Sequence, residues 1–258
     1  YINLQKEQGR LTSGEADYWK EKIGNLQEYQ YGYHKGWSMI LDTLTWPVLI
    51  MMLICIGIAP IFAGEYQSKC DSLILCMKYG RSKLILAKII SGWLYATGVY
   101  WGITLIYSSI YMIFLGTQGA DLPIQLKYPA MSVGYNLTMG EAVGITLLLG
   151  YFFTLGIMGI TLFMSALLKN TYAVIIVAFL LIIIPTFLSL DTGGYVWSHV
   201  LSLLPPKIAD FSFQSYTAYS IGNIVLSWPV MAILVNAIVA VLCSVLGYII
   251  FRKHQVNK

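Results

Sequence analysis

The residues able to do covalent chemistry are few and scattered. His34, His199 and His254 fall in three separate stretches, and the sequence has no Gly-x-Ser-x-Gly, His-Glu-x-x-His or Gly-x-x-x-x-Gly-Lys-Ser/Thr pattern. The arrangements that activate a serine, hold a zinc-bound water or cradle a nucleotide phosphate are therefore missing. Cys70 and Cys76 sit close together with no histidine nearby, a spacing that fits no familiar zinc site, so free thiols are the better reading. What the sequence does concentrate is a mixed apolar and basic segment, which fits a short helix floating on the lipid headgroups as well as a docking surface. Glu65 opens a segment that mixes apolar Leu73, Ile74 and Met77 with Lys78, Arg81 and Lys83. Asp71 or Ser72 is placed to cap a short helix there, and Gly80 to end it in the left-handed conformation after Tyr79. Ser82 is placed to cap the element that follows.

The composition says where such a segment must be mounted. Of 258 residues, 57% are hydrophobic and 11% charged, whereas a soluble domain has about a quarter of its residues charged. Charges are absent between Glu141 and Lys169, between Lys169 and Asp191, and between Asp210 and Arg252. Uncharged apolar runs of roughly 18 residues or more cross a hydrocarbon core about 30 Å thick as helices. Five runs qualify, at Leu44–Ala63, Ile89–Leu115, Ala142–Leu168, Thr171–Leu190 and Ile224–Phe251. None alternates with the period of two of a barrel strand, so the expected fold class is an all-α integral membrane protein, a polytopic helical bundle. Pro47, Pro60, Pro185 and Pro229 should mark kinks or ends, because neighbouring helices satisfy the backbone groups they free.

Lys and Arg orient the bundle. With the loop 64–83 in the cytoplasm, that side also collects Lys169, Arg252, Lys253 and Lys258, while the opposite loops hold Lys127 and Lys207 against Asp121, Asp191 and Asp210. By the positive-inside rule the N-terminal segment is outside and the C-terminus cytoplasmic. The net charge of +4 then reflects topology, and no nucleic-acid module is visible. Residues 1–36 are polar, without the apolar core of a signal peptide. Ser13 is placed to cap a helix there whose Ala16, Tyr18, Trp19, Ile23 and Leu26 form an apolar stripe. An outside start implies a first span preceding Tyr1 and six spans in the intact chain, with residues 37–258 as the transmembrane domain.

Within that layout the loop carries a resemblance. Phe62-Ala63-Gly64-Glu65, then Asp71-Ser72-Leu73-Ile74-Leu75, then Lys78-Tyr79-Gly80-Arg81-Ser82-Lys83-Leu84 with Ala87-Lys88 resembles the loop of ABC-2 type transporter permeases. Leu203-Leu204-Pro205-Pro206 before the last span and the closing Tyr248-Ile249-Ile250-Phe251-Arg252-Lys253 extend the likeness more weakly. The resemblance implies the membrane subunit of a bacterial ABC exporter of the type V kind, in the plasma membrane. It implies partners: an ABC ATPase subunit that binds the ATP and Mg, and a second permease copy or a related permease. This chain itself would hold no cofactor. Ser72, Leu73, Ile74, Met77, Lys78, Tyr79 and Arg81 would form the coupling segment docked on the ATPase, and Glu65 would belong to a gate or pair at the interface with Lys69. In the outer stretch 191–222, Val200, Leu203, Leu204, Pro205 and Phe211 would belong to a re-entrant lid over the exit path, where an interfacial aromatic belt is the plainer reading.

Other residues carry less. Asp42 is placed at the outer start of a helix, Asn236 suits an interhelical hydrogen bond, and the Gly140/Gly144 and Gly156/Gly159 pairs suit close helix packing. The aromatic spans lean toward an amphipathic or apolar cargo such as a peptide, drug or lipid. The rival class is a secondary transporter working without an ATPase, which is expected to carry ionisable residues at mid-membrane; the span interiors here are free of them. Thiol labelling from outside sealed cells should reach cysteines introduced at Gln118 and Thr192 and should not reach Cys70 or Cys76; labelling of Cys70 would invert the orientation.

Overall fold

The computed structural model describes residues 2–7, 9–24, 31–43, 46–70, 73, 76–80, 82–128, 133–188, 194–221 and 224–253. Three helices precede the long ones: α1 (Ile2–Glu7), α2 (Ser13–Gly24) and α3 (Lys35–Asp42). Then come α4 (Trp46–Ile58), α5 (Pro60–Gln67), α6 (Lys83–Leu115), α7 (Met139–Leu167) and α8 (Thr171–Phe187). The chain closes with α9 (Gly194–Leu201), a 3-10 turn at Pro205–Asp210, a hairpin of β1 (Ala218–Ile221) and β2 (Ile224–Ser227), and α10 (Trp228–Lys253). Four helical stretches, Pro47–Gln67, α6, α7 and α10, are long and apolar enough to cross a membrane, and the chain is a helical membrane protein. The fifth expected span, α8, has 17 residues and falls just below that length.

Two expectations about the ends of spans change. Residues 224–227 form a strand in the loop ahead of α10, with Ala218 opposite Ser227 and Ile221 opposite Ile224. A four-residue apolar run reads the same to a hydropathy window whether it is strand or helix; Pro229, in the first turn of α10, places the helix start beside it. At the other end of the bundle, α6 begins at Lys83, before the expected Ile89. Lysine is a good helix former, so the charge marks the edge of the hydrocarbon and not the end of the helix.

The core is organised around α7. In its most apolar stretch 61% of residues are buried, against 11% for α6, so α7 is the central helix and α6 an outer one. It starts with a capping box, Glu141 N donating to Thr138 Oγ1 at 3.2 Å and Thr138 N to Glu141 Oε2 at 2.9 Å. Its most extensive partner is α10, brought close by glycine: a Cβ on Gly159 would lie 2.7 Å from Ala240 Cα, and Gly156 lies against the Asn236 side chain. This bears out the Gly156/Gly159 packing, whereas Gly144 faces open space. Asn236 Nδ2 donates to Leu203 O at 3.2 Å, tying α10 to the outer loop. Asp42 ends α3 instead of starting a helix. In α2 the cap is Thr12, not Ser13, because Glu15 completes a box with it at 2.9 and 3.4 Å.

The first span is interrupted at Pro60, where α4 gives way to α5. A proline there removes one donor and disturbs the ladder around it, and lipid offers no replacement. Ser165 of α7 supplies it: its hydroxyl donates to Ala59 O at 2.7 Å and accepts from Phe62 N at 3.0 Å and Ala63 N at 3.1 Å. Ser165→Ala should therefore lower thermal stability in detergent by on the order of 1–3 kcal/mol, the cost of orphaned buried polar groups. Ser109→Ala, on the exposed face of α6, should stay within about 0.5 kcal/mol.

Candidate functional site

The loop end of the bundle is pinned from several sides. Glu65, near the end of α5, forms an ion pair with Lys88 of α6, and the same ammonium donates to Ile61 O at 2.8 Å and lies over the Phe62 ring. Phe62 and Tyr66 both pack on Phe251 of α10, at 4.7 and 5.5 Å between ring centroids. Tyr66 OH donates to Ala166 O of α7 at 3.1 Å, and Gln67 Nε2 to Asn170 Oδ1, ahead of α8, at 3.1 Å. The root of the segment 64–83 is thus held by α6, α7, α8 and α10 together. The second carboxylate oxygen of Glu65, Oε2, is buried without a hydrogen-bond partner. The cation on Glu65 is Lys88, a residue that sequence reasoning gave no role.

The tip is different. Leu73 is 68% exposed, Met77 55% and Tyr79 50%. The ammonium groups of Lys78 and Lys83 lie 5.5 and 4.7 Å from the centre of the Tyr79 ring, close enough for cation–π attraction. The result is an apolar knuckle with a basic collar. Ser72, Ile74 and Arg81 lie outside the described residues, as does Asp71. The helix expected to run to Tyr79 gives way at Met77 to a bend and turn, with Gly80 N donating to Met77 O at 3.1 Å. Gly80 is not left-handed; the positive φ in this loop belongs to Lys69, at 55°, where the chain leaves α5 and Cys70 N returns to Glu65 O at 3.1 Å. Ser82 does occupy the cap position of α6, without a side-chain bond.

The residues expected to form the outer lid gather at the opposite end. Val200 is 59% and Leu204 37% exposed, whereas Phe211 is 7% exposed and stacks on Trp228 at 4.4 Å and 12°. Leu203 is half-buried and Pro205 buried. Lys207, buried in the 3-10 turn, binds Asp210 Oδ2 and Leu188 O, each at 2.6 Å, which fastens this stretch to the end of α8. Above it, Tyr195 OH donates to Glu15 Oε1 at 2.7 Å. The ring nitrogens of His199 lie 2.8 and 3.0 Å from the carbonyl oxygens of Tyr195 and Ala218, bridging α9 to the hairpin. Tyr219 OH donates to His199 O at 2.7 Å. Sequence reasoning missed this network; only the Thr12-x-x-Glu15 spacing signalled part of it.

The network also has a sign in pH. Burial, reinforced by the hydrogen bond to Glu15 and its charge, pushes the Tyr195 phenol up to about 12, and burial pushes Tyr219 up to about 12. Tyr135, buried against Trp19 at 5.1 Å, is raised as well. Because the folded state holds these phenols neutral, the stability they contribute is complete below pH 10.0, the ordinary phenol value, and is lost as pH rises toward about 12. Near-ultraviolet circular dichroism should show the outer cap loosening over that window, and Glu15→Gln, which removes the charge but keeps an acceptor, should move the Tyr195 transition downward.

Together the two ends place Glu65, Leu73, Met77, Lys78 and Tyr79 on one side of the bundle and Val200 to Phe211 on the other. At the far end Ser198 Oγ also lies 3.4 Å from His199 Nδ1. No curated protein and no solved structure matches the chain. A family model described as "Protein of unknown function (DUF2705)" matches residues 20–256, and the chain belongs to that family.

Proposed function

We propose that this chain is the permease subunit of an ATP-driven exporter of the ABC-2 type. In this reading it moves an amphipathic or apolar substrate, such as a peptide, drug or lipid, out across the plasma membrane, and a separate ATPase chain binds and hydrolyses ATP with Mg. The observation that carries it is the exposed knuckle Leu73, Met77 and Tyr79 on a root fixed by Glu65–Lys88. A push on such a knuckle reaches α5 and α6 directly, which is what two-state gating of a bundle needs. The apolar tip is too exposed to be part of this chain's own core, and its Lys collar suits an acidic protein cleft.

The wider layout supports the same reading. Pro47–Gln67, α6, α7 and α10 run alternately between the two ends; so does α8, the fifth, since Asn170 at its start bonds Gln67 and Leu188 at its finish accepts from Lys207. With the loop in the cytoplasm, the cap of α1–α3, α9 and the hairpin lies outside, where it closes over the far ends of the spans. A second permease copy or a related permease completes the pathway.

Docking of Leu73 or Met77 in an ATPase cleft contributes on the order of 1.5–3 kcal/mol per fully buried side chain, about 10- to 100-fold in assembly. Leu73→Asp and Met77→Asp should weaken assembly by that factor or lower export per ATP hydrolysed, with the bundle still folded. If the knuckle only rests on lipid, the same variants lower membrane insertion and leave coupling intact. Unchanged assembly and unchanged export per ATP for both variants would contradict docking.

A further inference from the structure

A cavity of about 240 Å³ lies at the seam between the outer cap and the tops of two spans. Its floor is apolar, formed by Ile145 of α7 with Val230 and Ile233 of α10. Ile145 and Ile233 sit roughly 8–9 Å inside their helices at about 1.5 Å rise per residue, the depth of the headgroup and acyl boundary. Its rim is polar, with Lys22 and Tyr18 of α2, Asn136 and Ser227. Lys22 is the single charged side chain among the residues that line it, and its ammonium lies 5.8 Å from the Tyr18 ring centre. The cavity is thus apolar toward the membrane and cationic toward water.

It also has a lateral approach. Val230 is 45% exposed and begins a row with Leu234 at 47%, Ile238 at 55%, Val241 at 53% and Val245 at 50%. Spacings of three and four residues put these side chains on one face of α10. Nothing in this chain covers that apolar stripe among the described residues, and in a bilayer it faces lipid. The stripe climbs the span and ends in the cavity, under Lys22.

We infer that this cavity binds an amphiphile with an anionic phosphate head, its acyl chain along the α10 stripe and its head at Lys22 and Ser227. The volume lies below the roughly 300–1,000 Å³ of a drug-sized ligand pocket, so it takes a headgroup with the first part of one chain while the remainder stays on the stripe. Ligand reaches it sideways from the membrane. The inference goes beyond the permease reading and does not depend on an ATPase, because binding belongs to this chain alone.

The test is binding of monododecyl phosphate to the purified chain in nanodiscs of phosphatidylcholine, with dodecyl maltoside as the neutral amphiphile and inorganic phosphate as the tailless anion. Lys22→Gln should weaken the phosphate amphiphile by about tenfold, as expected for loss of a charge-assisted contact, and leave the maltoside unchanged; Lys22→Arg should restore binding. Val230→Trp, which fills the floor from an exposed position, should weaken both amphiphiles. Inorganic phosphate alone should bind far more weakly than monododecyl phosphate. Two results support the site and separate its sources: displacement of the probe in phosphatidylglycerol discs assigns it to bilayer lipid, and retention assigns it to a cargo amphiphile. Wild-type affinity for monododecyl phosphate in Lys22→Gln, or in Val230→Trp, overturns the inference, as does inorganic phosphate binding as tightly as the amphiphile. None of these failures touches the docking of Leu73 and Met77.

Discussion

The ion pair between Glu65 and Lys88 is the constraint on which the loop end of this bundle depends. Both side chains are mostly withdrawn from solvent, at 15% and 23% exposure, so each needs the other. The pair is partly buried, and removing either partner leaves the other's charge uncompensated. Its value to this fold lies in geometry: it ties the end of α5 to the start of α6, and Lys88 reaches on to Ile61 O. The described part of the loop between them carries Leu73, Met77 and Tyr79. Leu73, Met77 and Tyr79 then face away from the bundle because the root leaves them no core to join.

Inside the spans a second constraint operates, the need to satisfy every backbone group without water. It accounts for several interior polar side chains that bond backbone groups of the helices. Ser165 repairs the break at Pro60, Thr161 and Ser244 return to their own helices at Ile157 O and Ala240 O, and Asn236 bonds Leu203 O. Close glycine contacts between α7 and α10 add packing where hydrophobic burial offers no net drive between helices. The cap of α1–α3, α9 and the hairpin is built on the opposite principle. It is aqueous in character, with Trp19 fully buried among Tyr18, Tyr135 and Tyr216 and a hydroxyl, carboxylate and imidazole network above it. The cap and the spans thus answer to different solvents.

Much of this was legible from charge-free runs, because length and composition decide what crosses a bilayer. The starts of α7 and α8 could be read within a few residues, since Thr138-x-x-Glu141 and Asn170 are local caps. What escaped was set by contacts far apart in sequence. Lys88 counts as a loop charge until Glu65 is brought beside it, and the buried roles of Glu15, His199 and Lys207 depend on neighbours 180, 19 and 19 residues away. The hairpin before α10 was hidden because Ile224-Val225-Leu226 continues the apolar run of the span. The short helix expected through Tyr79 stops early, at a turn closed by Gly80 N on Met77 O, with Lys78 and Lys83 over the Tyr79 ring. The amphiphile cavity could not be foreseen, since its floor and rim come from α2, α7, α10 and the hairpin.

In the proposed permease, force applied to the loop reaches the spans through Glu65–Lys88. The most direct test is charge exchange at this pair, read as export of an amphipathic dye per ATP hydrolysed in proteoliposomes that contain the partner ATPase. The account expects Glu65→Lys and Lys88→Glu each to lower that ratio by about tenfold or more, as loss of a partly buried pair should, and the double exchange to recover most of it. Single reversals that fold normally and keep the wild-type ratio, or a double exchange no better than either single one, would contradict it.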